Sequence, residues 1–332
     1  MHELDLDLRS LVSRRTLIAA ALFLAAVAVV ATISHRFGAT VQGLEDATPV
    51  WLWAAAAAFL LSLFASAAAW RSVFQLCGAR LSHLDAGARY SLGSLVNGIS
   101  PMRVGEAVRL TLFGRALPGE DRALRTGGAL GVILAGRAVV FALVVVCAAV
   151  LGAVPLWPVV GLAAFVCVAG AVAYAVRNRT PQTHVAHLVD AFRELGRSPA
   201  HGARIVAWIA ASTVARFAGA AGVAAALGVP SPISAALIIL PALQVAGLIP
   251  LSGNVGITSG AVTVALQTRG IGLSQALTTG LAFHAVETAA GLAGGLGGLL
   301  YLVRFDARRI VVAGAAACLV AAFTATVLVP LA

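Results

Sequence analysis

The amino-acid sequence predicts an all-α polytopic membrane protein, with about seven full transmembrane helices and two re-entrant helical hairpins in an inverted repeat. The first observation behind this prediction is composition. Of the 332 residues, 60% are hydrophobic and 11% are charged, and the mean hydropathy is +0.96. A soluble domain carries about 25% charged residues, so a soluble globular fold is excluded. The other two observations are the lengths of the apolar runs and the way two of them are interrupted.

Seven uninterrupted apolar segments exceed or approach the roughly 18 residues that cross the hydrocarbon core of a bilayer. We interpret them as transmembrane helices at residues 16–34, 50–69, 127–154, 159–176, 205–229, 273–303 and 310–331. The first segment follows Arg14 and Arg15 but lacks a convincing cleavage site, so we interpret it as a retained helix and not as a signal peptide. The predicted organisation is a cytoplasmic segment at residues 1–15 and a single transmembrane domain at residues 16–331.

Two further apolar regions, residues 84–118 and 233–268, are each broken in the middle by Gly, Pro, Ser and Asn. The breaks read NGISPMRVGE and IPLSGNVGITSG. Unpaired backbone cannot face lipid, so a break of this kind survives only where protein shields it or where it lines a wet cavity. We therefore interpret both regions as re-entrant hairpins that enter from opposite sides. Paired interruptions in the two halves of an inverted repeat point to a transport site.

The arginines support this topology. All 23 basic residues are arginine, and with the N-terminus and a loop at residues 177–204 in the cytoplasm, 19 of them lie on the cytoplasmic side. That bias follows the positive-inside rule and holds only if each hairpin returns to the side from which it enters. We expect a multi-pass protein of the plasma (inner) membrane. The same rule accounts for the net charge of +10. The sequence lacks the stripe of aromatic residues between basic residues that nucleic-acid-binding grooves use, so we expect no nucleic-acid binding.

Four ionisable residues lie near the middle of predicted spans. A charged side chain there costs roughly 2.5–3.5 kcal/mol on insertion scales, which makes such residues functional candidates. Arg137, Arg216 and Glu287 lie ten to fourteen residues into their spans, and His284 is one turn from Glu287. One interpretation is that Glu287 pairs with an arginine to hold helices together. There are two mid-span arginines, Arg137 and Arg216, and one mid-span glutamate, so one positive charge would stay without a partner. A buried cation of this kind is tolerated where an anion binds in a cavity next to it.

The hairpin breaks also predict anion binding. Ser100 before Pro101 is a favourable N-cap followed by a helix-starting proline, and Ser252 to Asn254 would start a helix from the opposite side. Helix N-termini bind phosphates and carboxylates.

Three charged residues follow the first break. Arg103 and Glu106 are spaced to pair at i,i+3, which leaves Arg109 either for a headgroup or for the cytoplasmic interface.

Catalytic and metal-binding patterns do not stand out in the sequence. No paired carboxylates, nucleophile triad or metal-ligand set is evident, and His184 and His187 lack a third ligand. We therefore expect no enzymatic activity, no cofactor and no metal.

The run around the first break resembles the first signature of the lysylphosphatidylglycerol synthase transmembrane family, also called the flippase-like domain. That signature is approximately N-x-x-x-P-x-R-x-G-E-x-x-R, and its places are held here by Asn97, Pro101, Arg103, Gly105, Glu106 and Arg109. The family's second signature, PGGLGVREGA, is similar to residues 252–261, with Ser252 at the proline and Ser259 at the acidic residue. Of the Glu-Arg pair typical of the family's next span, only Arg137 is present.

The resemblance implies a lipid flippase-like transporter that moves an anionic phospholipid or a polyprenyl-phosphate-linked lipid between leaflets through a central polar cavity. Because the chain ends at Ala332, directly after a span, lipid aminoacylation is not expected. The resemblance implies that the partner is a membrane lipid with an anionic headgroup. Two further partners, a second copy of the chain in a homo-oligomer and a separate lipid-modifying enzyme, are left undecided by the sequence. One alternative is transport of a small anionic solute or an amino acid. A second and less favoured alternative is a membrane-embedded lipid head-group transferase. The candidate substrate-binding residues are Asn97, Ser100, Arg103, Glu106, Arg109, Arg137, Arg216, Ser252, Asn254, His284 and Glu287.

Overall fold

The computed structural model describes residues 47–99, 104–118, 122–152, 159–161, 164, 199–247 and 255–303, and no strand occurs within these ranges. The helices are α1 (Pro49–Leu76), α2 (His83–Ile99), α3 (Val104–Gly114), α4 (Arg122–Val150), α5 (Pro199–Ala226), α6 (Pro232–Ala246), α7 (Val255–Gln267) and α8 (Leu273–Val303).

Helices α1, α4, α5 and α8 are long and apolar enough to cross a membrane. At about 1.5 Å per residue, their 28 to 31 residues exceed the roughly 30 Å of a hydrocarbon core. They confirm helices at the predicted spans 50–69, 127–154, 205–229 and 273–303. The predicted spans 16–34 and 310–331, the segment 1–15 and all of 159–176 except residues 159–161 and 164 lie outside the described residues.

Three helix boundaries differ from the prediction. Helix α5 begins at Pro199 and not at residue 205, so the last six residues predicted as loop 177–204 are helical. Helix α1 continues to Leu76, and α4 begins at Arg122. The prediction stopped each span near its terminal arginine, whereas a helical backbone continues past arginines because their long side chains reach back to the interface.

Helices α2 and α3 form an antiparallel hairpin. Near its open end, Arg89 of α2 hydrogen-bonds to the carbonyl of Leu112 at the end of α3. Near its closed end, Asn97 bonds to the backbone of Gly105 at the start of α3. The hairpin therefore begins and ends at the same end of the bundle, where α1 ends and α4 begins. Both helices are shorter than the four long ones.

Helices α6 and α7 occupy the second interrupted region and open at the opposite end of the bundle. The backbone N–H of Thr48, just before α1, donates to the carbonyl of Ala226 at the end of α5. Gln275, in the first turn of α8, donates to the carbonyl of Leu227. These contacts place the start of α6 and the start of α8 at the same end as the start of α1.

The two halves of the described chain match helix by helix. Each helix of the second half begins 149 to 151 residues after its counterpart, as the starting pairs Pro49 and Pro199, His83 and Pro232, Val104 and Val255, and Arg122 and Leu273 show. The principal helix contacts match as well: α1 with α2 corresponds to α5 with α6, α2 with α8 corresponds to α6 with α4, and α3 with α4 corresponds to α7 with α8. This correspondence is what a repeat of two similar halves produces.

The pairing of α1 with α5 relates the two halves. The helices are antiparallel, with Phe59 against Gly219 and Ala55 against Gly222. The hydroxyls of Ser62 and Ser212, 150 residues apart, meet at 3.0 Å. Because two equivalent residues touch each other there, this contact lies at the twofold-like axis that exchanges the halves.

Close packing inside the first hairpin predicts a strong response to one added methyl group. A Cβ at Gly93 would lie 2.8 Å from the carbonyl oxygen of Gly105 and 2.7 Å from the Nε of Arg109. We expect Gly93→Ala to lower the free energy of unfolding by about 1–3 kcal/mol, as overpacking does. Gly87 lies on the same helix with nothing within 4 Å of its Cβ position, so Gly87→Ala should raise that free energy by about 0.5–1 kcal/mol. Thermal unfolding in detergent measures both, and equal midpoints for the two variants would contradict the prediction.

Candidate functional site

Arg109 holds the first hairpin together from the inside. Its Nε donates to the carbonyl of Tyr90 at 3.2 Å, and its Nη2 donates to the Oγ of Ser94 at 2.7 Å. Its Nη1 forms an ion pair with the Oε1 of Glu106 at 3.0 Å, and its guanidinium lies 4.1 Å from the centre of the Tyr90 ring. The side chain is buried. The guanidinium group of Arg109 is therefore bound to partners within the hairpin. The sequence suggested Arg103 as the partner of Glu106, and Arg103 lies outside the described residues.

Asn97 closes the same hairpin near its tip. Its Oδ1 accepts a hydrogen bond of 2.7 Å from the backbone N–H of Gly105, which is in the first turn of α3. That turn carries N–H groups that have no partner within the helix. One of the N–H groups expected to meet an anion is thus bonded to the protein itself.

A chain of hydroxyl groups runs from the crossing of α1 and α5 toward the hairpin. The Oγ of Ser212 lies 3.0 Å from that of Ser62 and 2.6 Å from that of Ser66. Ser66 in turn acts on the side chain of Tyr90, whose backbone carbonyl accepts from Arg109. These side chains form a continuous polar path through an otherwise apolar bundle.

Arg137 lies beside this polar path. It is half-buried in the middle of α4 and acts electrostatically on Tyr90. Within the described ranges, neither a salt bridge nor a hydrogen bond to its guanidinium is present. A cation next to hydroxyl groups and without an acidic partner has the chemistry of an anion site.

Arg216 and Glu287 form an ion pair that joins α5 to α8. The Nη2 of Arg216 lies 2.7 Å from the Oε1 of Glu287, and their side chains are 34% and 30% exposed. The Nε of Arg216 is buried and has no hydrogen-bond partner in the described part of the chain. The interpretation that Glu287 pairs with an arginine and holds two helices together therefore matches the geometry.

His284 does not extend this ion pair by a hydrogen bond. Its Nε2 lies 3.4 Å from the Oγ1 of Thr288, one turn further along α8, and the ring is half-buried. The structure thus places His284 and Glu287 on one helix with different partners.

The other predicted site residues, Ser100, Arg103, Ser252 and Asn254, lie outside the described residues. Sequence reasoning missed the hydroxyl groups of Ser62, Ser66, Ser212 and Tyr90. The sequence contains one signal that could have indicated them. Ser62 and Ser66 are four residues apart on one face of an apolar helix, and small hydroxyl residues in this position are typical of contacts between membrane helices. Among the described residues no group of three His, Cys, Asp or Glu could hold a metal ion.

The repeat relates the two charged positions to each other. Ser66 and Arg216 are 150 residues apart on α1 and α5, and Arg137 and Glu287 are 150 residues apart on α4 and α8. The pair Arg216–Glu287 in one half therefore corresponds to Ser66 and Arg137 in the other. The second half supplies its own anion to its arginine, whereas the described residues of the first half provide no acidic partner for Arg137.

Comparison with known proteins agrees with this architecture. The family described as the lysylphosphatidylglycerol synthase TM region matches residues 17–295, a range that contains nearly every described helix. No curated protein and no solved structure matches the chain. By the extent of this match, the chain belongs to the family of the lysylphosphatidylglycerol synthase TM region.

Proposed function

We propose that this protein moves an anionic lipid, either a phospholipid or a polyprenyl-phosphate-linked lipid, between the leaflets of the plasma (inner) membrane. The proposal assumes the predicted topology, in which there are seven spans, both hairpins are re-entrant and the N-terminus is in the cytoplasm. The headgroup crosses through polar groups between the two halves, while the acyl chains stay in the bilayer. Membership of the family supports a lipid-related membrane role.

The observation that carries the proposal is the unpaired charge of Arg137. A half-buried cation in a membrane-length helix is costly unless an anion visits it. Arg137 has no acidic partner among the described residues, and the hydroxyls of Ser66 and Tyr90 nearby can donate to a phosphate oxygen. A lipid phosphate provides the missing negative charge as well as acceptors for these donors.

The opposite openings of the two hairpins support movement between the leaflets. Helices α2 and α3 open at one end of the bundle, and α6 and α7 open at the other. Inverted repeats of this kind place a site at their interface and expose it to each side in turn.

The distribution of the arginines supports one orientation of the protein in the membrane. Among the described residues, one end of the bundle carries Arg71, Arg80, Arg89, Arg115, Arg122, Arg125 and Arg204, and the other end carries Arg269. By the positive-inside rule, the first end faces the cytoplasm.

The Arg216–Glu287 pair serves as the gate in this proposal. When the carboxylate of Glu287 binds Arg216, the two long helices of the second half, α5 and α8, are held together. When a lipid phosphate, or a proton on Glu287, competes for the pair, that contact opens. Both side chains are about one-third exposed, so a headgroup or a proton can reach them.

Leaflet exchange in reconstituted vesicles tests the function. The purified protein is placed in vesicles of phosphatidylcholine that contain a trace of fluorescent phosphatidylglycerol, and dithionite bleaches the outer leaflet. We expect the protected fraction of the label to fall from about one half toward zero with the protein present. Labelled phosphatidylcholine should exchange more slowly, because its choline cancels the phosphate charge that Arg137 attracts.

Each alternative predicts a different result in the same vesicles. A transporter of a small anionic solute would leave lipid exchange at the level of empty vesicles and release an entrapped anion. A head-group transferase would change the mass of the lipid. Exchange of phosphatidylglycerol equal to that of empty vesicles would reject the phospholipid form of the proposal, and the same result with a labelled polyprenyl phosphate would reject the proposed function.

A further inference from the structure

A second polar region lies at the arginine-rich end of the bundle, away from Arg137 and Arg216. A cavity of about 510 Å³ opens between the loop after α1, the first turns of α2 and the segment after α3. Its charged lining residues are Arg80, Asp85 and Arg89. A neighbouring depression shares Arg80 and Asp85 and extends to His201 at the start of α5.

The acidic residue of the cavity is already bound to the protein. Ser82 and Asp85 form a capping box at the start of α2, in which the Ser82 hydroxyl donates to the Asp85 carboxylate at 2.6 Å and accepts from the Asp85 N–H at 3.1 Å. Tyr301 of α8 also hydrogen-bonds to Asp85. Asp85 forms no salt bridge with either arginine of the cavity among the described residues, although its charge attracts Arg89.

The positive charge of the cavity exceeds its negative charge, because Arg80 and Arg89 line it together with the single carboxylate of Asp85. Arg89 uses Nη1 to bond to the carbonyl of Leu112, while its Nε is buried without a hydrogen-bond partner in the described part of the chain. A buried donor without an acceptor bears the full penalty of its desolvation. Arg80 is exposed at the rim and has no acidic partner among the described residues. Two guanidinium groups thus line a space that contains one carboxylate, and the cavity has a surplus of positive charge.

The surroundings of the cavity fit a lipid better than a soluble anion. The cavity lies at the end of membrane-length helices, where lipid phosphates are located. Leu84, next to Asp85, is 68% exposed and offers an apolar surface to an acyl chain. Basic pockets between membrane helices on the cytoplasmic side bind the headgroups of anionic lipids.

We propose that this cavity binds the phosphate of an anionic membrane lipid through Arg80 and Arg89, as a peripheral site distinct from the central one. The proposal requires membrane insertion but not lipid movement, so it stands or falls separately from the proposed function. The phosphate oxygens accept from the Arg89 guanidinium and from Arg80, and the acyl chains lie along Leu84.

The experiment measures lipid retention by the full chain. Purified protein is delipidated in detergent and titrated with dioleoyl phosphatidylglycerol, and bound lipid is counted by native mass spectrometry. The test variant is Arg80→Gln with Arg89→Gln. The control is Arg115→Gln with Arg125→Gln, which removes the same charge from two exposed arginines at the same end of the bundle that do not line the cavity. We expect the affinity of the tightest lipid to fall about 10-fold or more in the test variant and less than 2-fold in the control.

The outcomes separate the explanations. An equal loss in both variants would mean general charge attraction and would overturn the proposal. Displacement of the lipid by millimolar inorganic phosphate would assign the site to a free anion and overturn the lipid assignment. Because removal of Arg89 can disturb the hairpin, Arg80→Gln alone is measured as well, and unchanged retention in this folded variant would also count against the site. Leaflet exchange recorded on the same variants shows whether the central function survives independently.

Discussion

Replacing Arg137 by Gln is expected to slow the leaflet exchange of phosphatidylglycerol at least about 10-fold. A hydrogen bond to a charged group contributes about 1.5–3 kcal/mol, and each 1.36 kcal/mol of lost transition-state stabilisation is a tenfold loss in rate. Arg137 is the half-buried cation of α4 without an acidic partner among the described residues, so its removal takes away binding without breaking an internal ion pair. Stability should change little or rise. Dithionite bleaching of reconstituted vesicles measures the rate, and thermal unfolding measures the stability.

Two further variants make this prediction specific. Arg125→Gln removes an exposed arginine from the first turn of the same helix and should exchange lipid at the wild-type rate. Arg137→Lys keeps the charge but loses the planar donor pair, so we expect an intermediate rate. If Arg137→Gln exchanged phosphatidylglycerol as fast as Arg125→Gln, Arg137 would not contact the headgroup.

Breaking the Arg216–Glu287 pair is expected to have the second large effect, on stability as well as on exchange. Truncating one partner of a fully buried pair costs about 3–5 kcal/mol. Here both side chains are about one-third exposed, so we expect about 1–3 kcal/mol for Arg216→Ala or Glu287→Ala. The double variant should recover part of this loss, because neither charge is then left alone. The coupling in the double-mutant cycle should fall within about 0.5–3 kcal/mol.

Exchange rates in the same cycle distinguish a gate from a purely structural contact. If the pair only holds α5 against α8, the double variant regains exchange together with stability. If the pair is the gate, the double variant regains stability while exchange stays altered, because nothing then couples the phosphate to the contact between α5 and α8.

Much of the helical architecture follows from the sequence alone. The four long helices of the described chain lie where apolar runs of membrane length predicted them, because the hydrocarbon core sets a minimum number of apolar residues. The interruptions at 84–118 and 233–268 predicted shorter paired helices, and α2 with α3 and α6 with α7 occupy those regions. Boundaries were less accurate, since α5 starts at Pro199 before its first strongly apolar residue.

The polar partners could not be predicted in the same way. Arg109 was expected at a headgroup or at the interface, yet its donors bond to Tyr90, Ser94 and Glu106 inside the hairpin. Sequence spacing predicts neighbours on one helix, such as Glu106 at i−3, whereas Tyr90 and Ser94 belong to a different helix. Which side chains meet across two helices depends on their crossing and register, which no local pattern contains.

The sequence by itself determined that this is a helical membrane protein, which regions carry interruptions, and that Arg137, Arg216 and Glu287 lie at mid-helix, because hydropathy and spacing are properties of consecutive residues. The tertiary structure alone decided that Arg216 takes Glu287 as its partner, that Arg137 holds the equivalent position in α4 with no acidic partner among the described residues, and that Ser62 meets Ser212 where the halves cross. These are contacts between residues up to 150 positions apart, and the packing of whole helices, not the order of residues along the chain, brings them together.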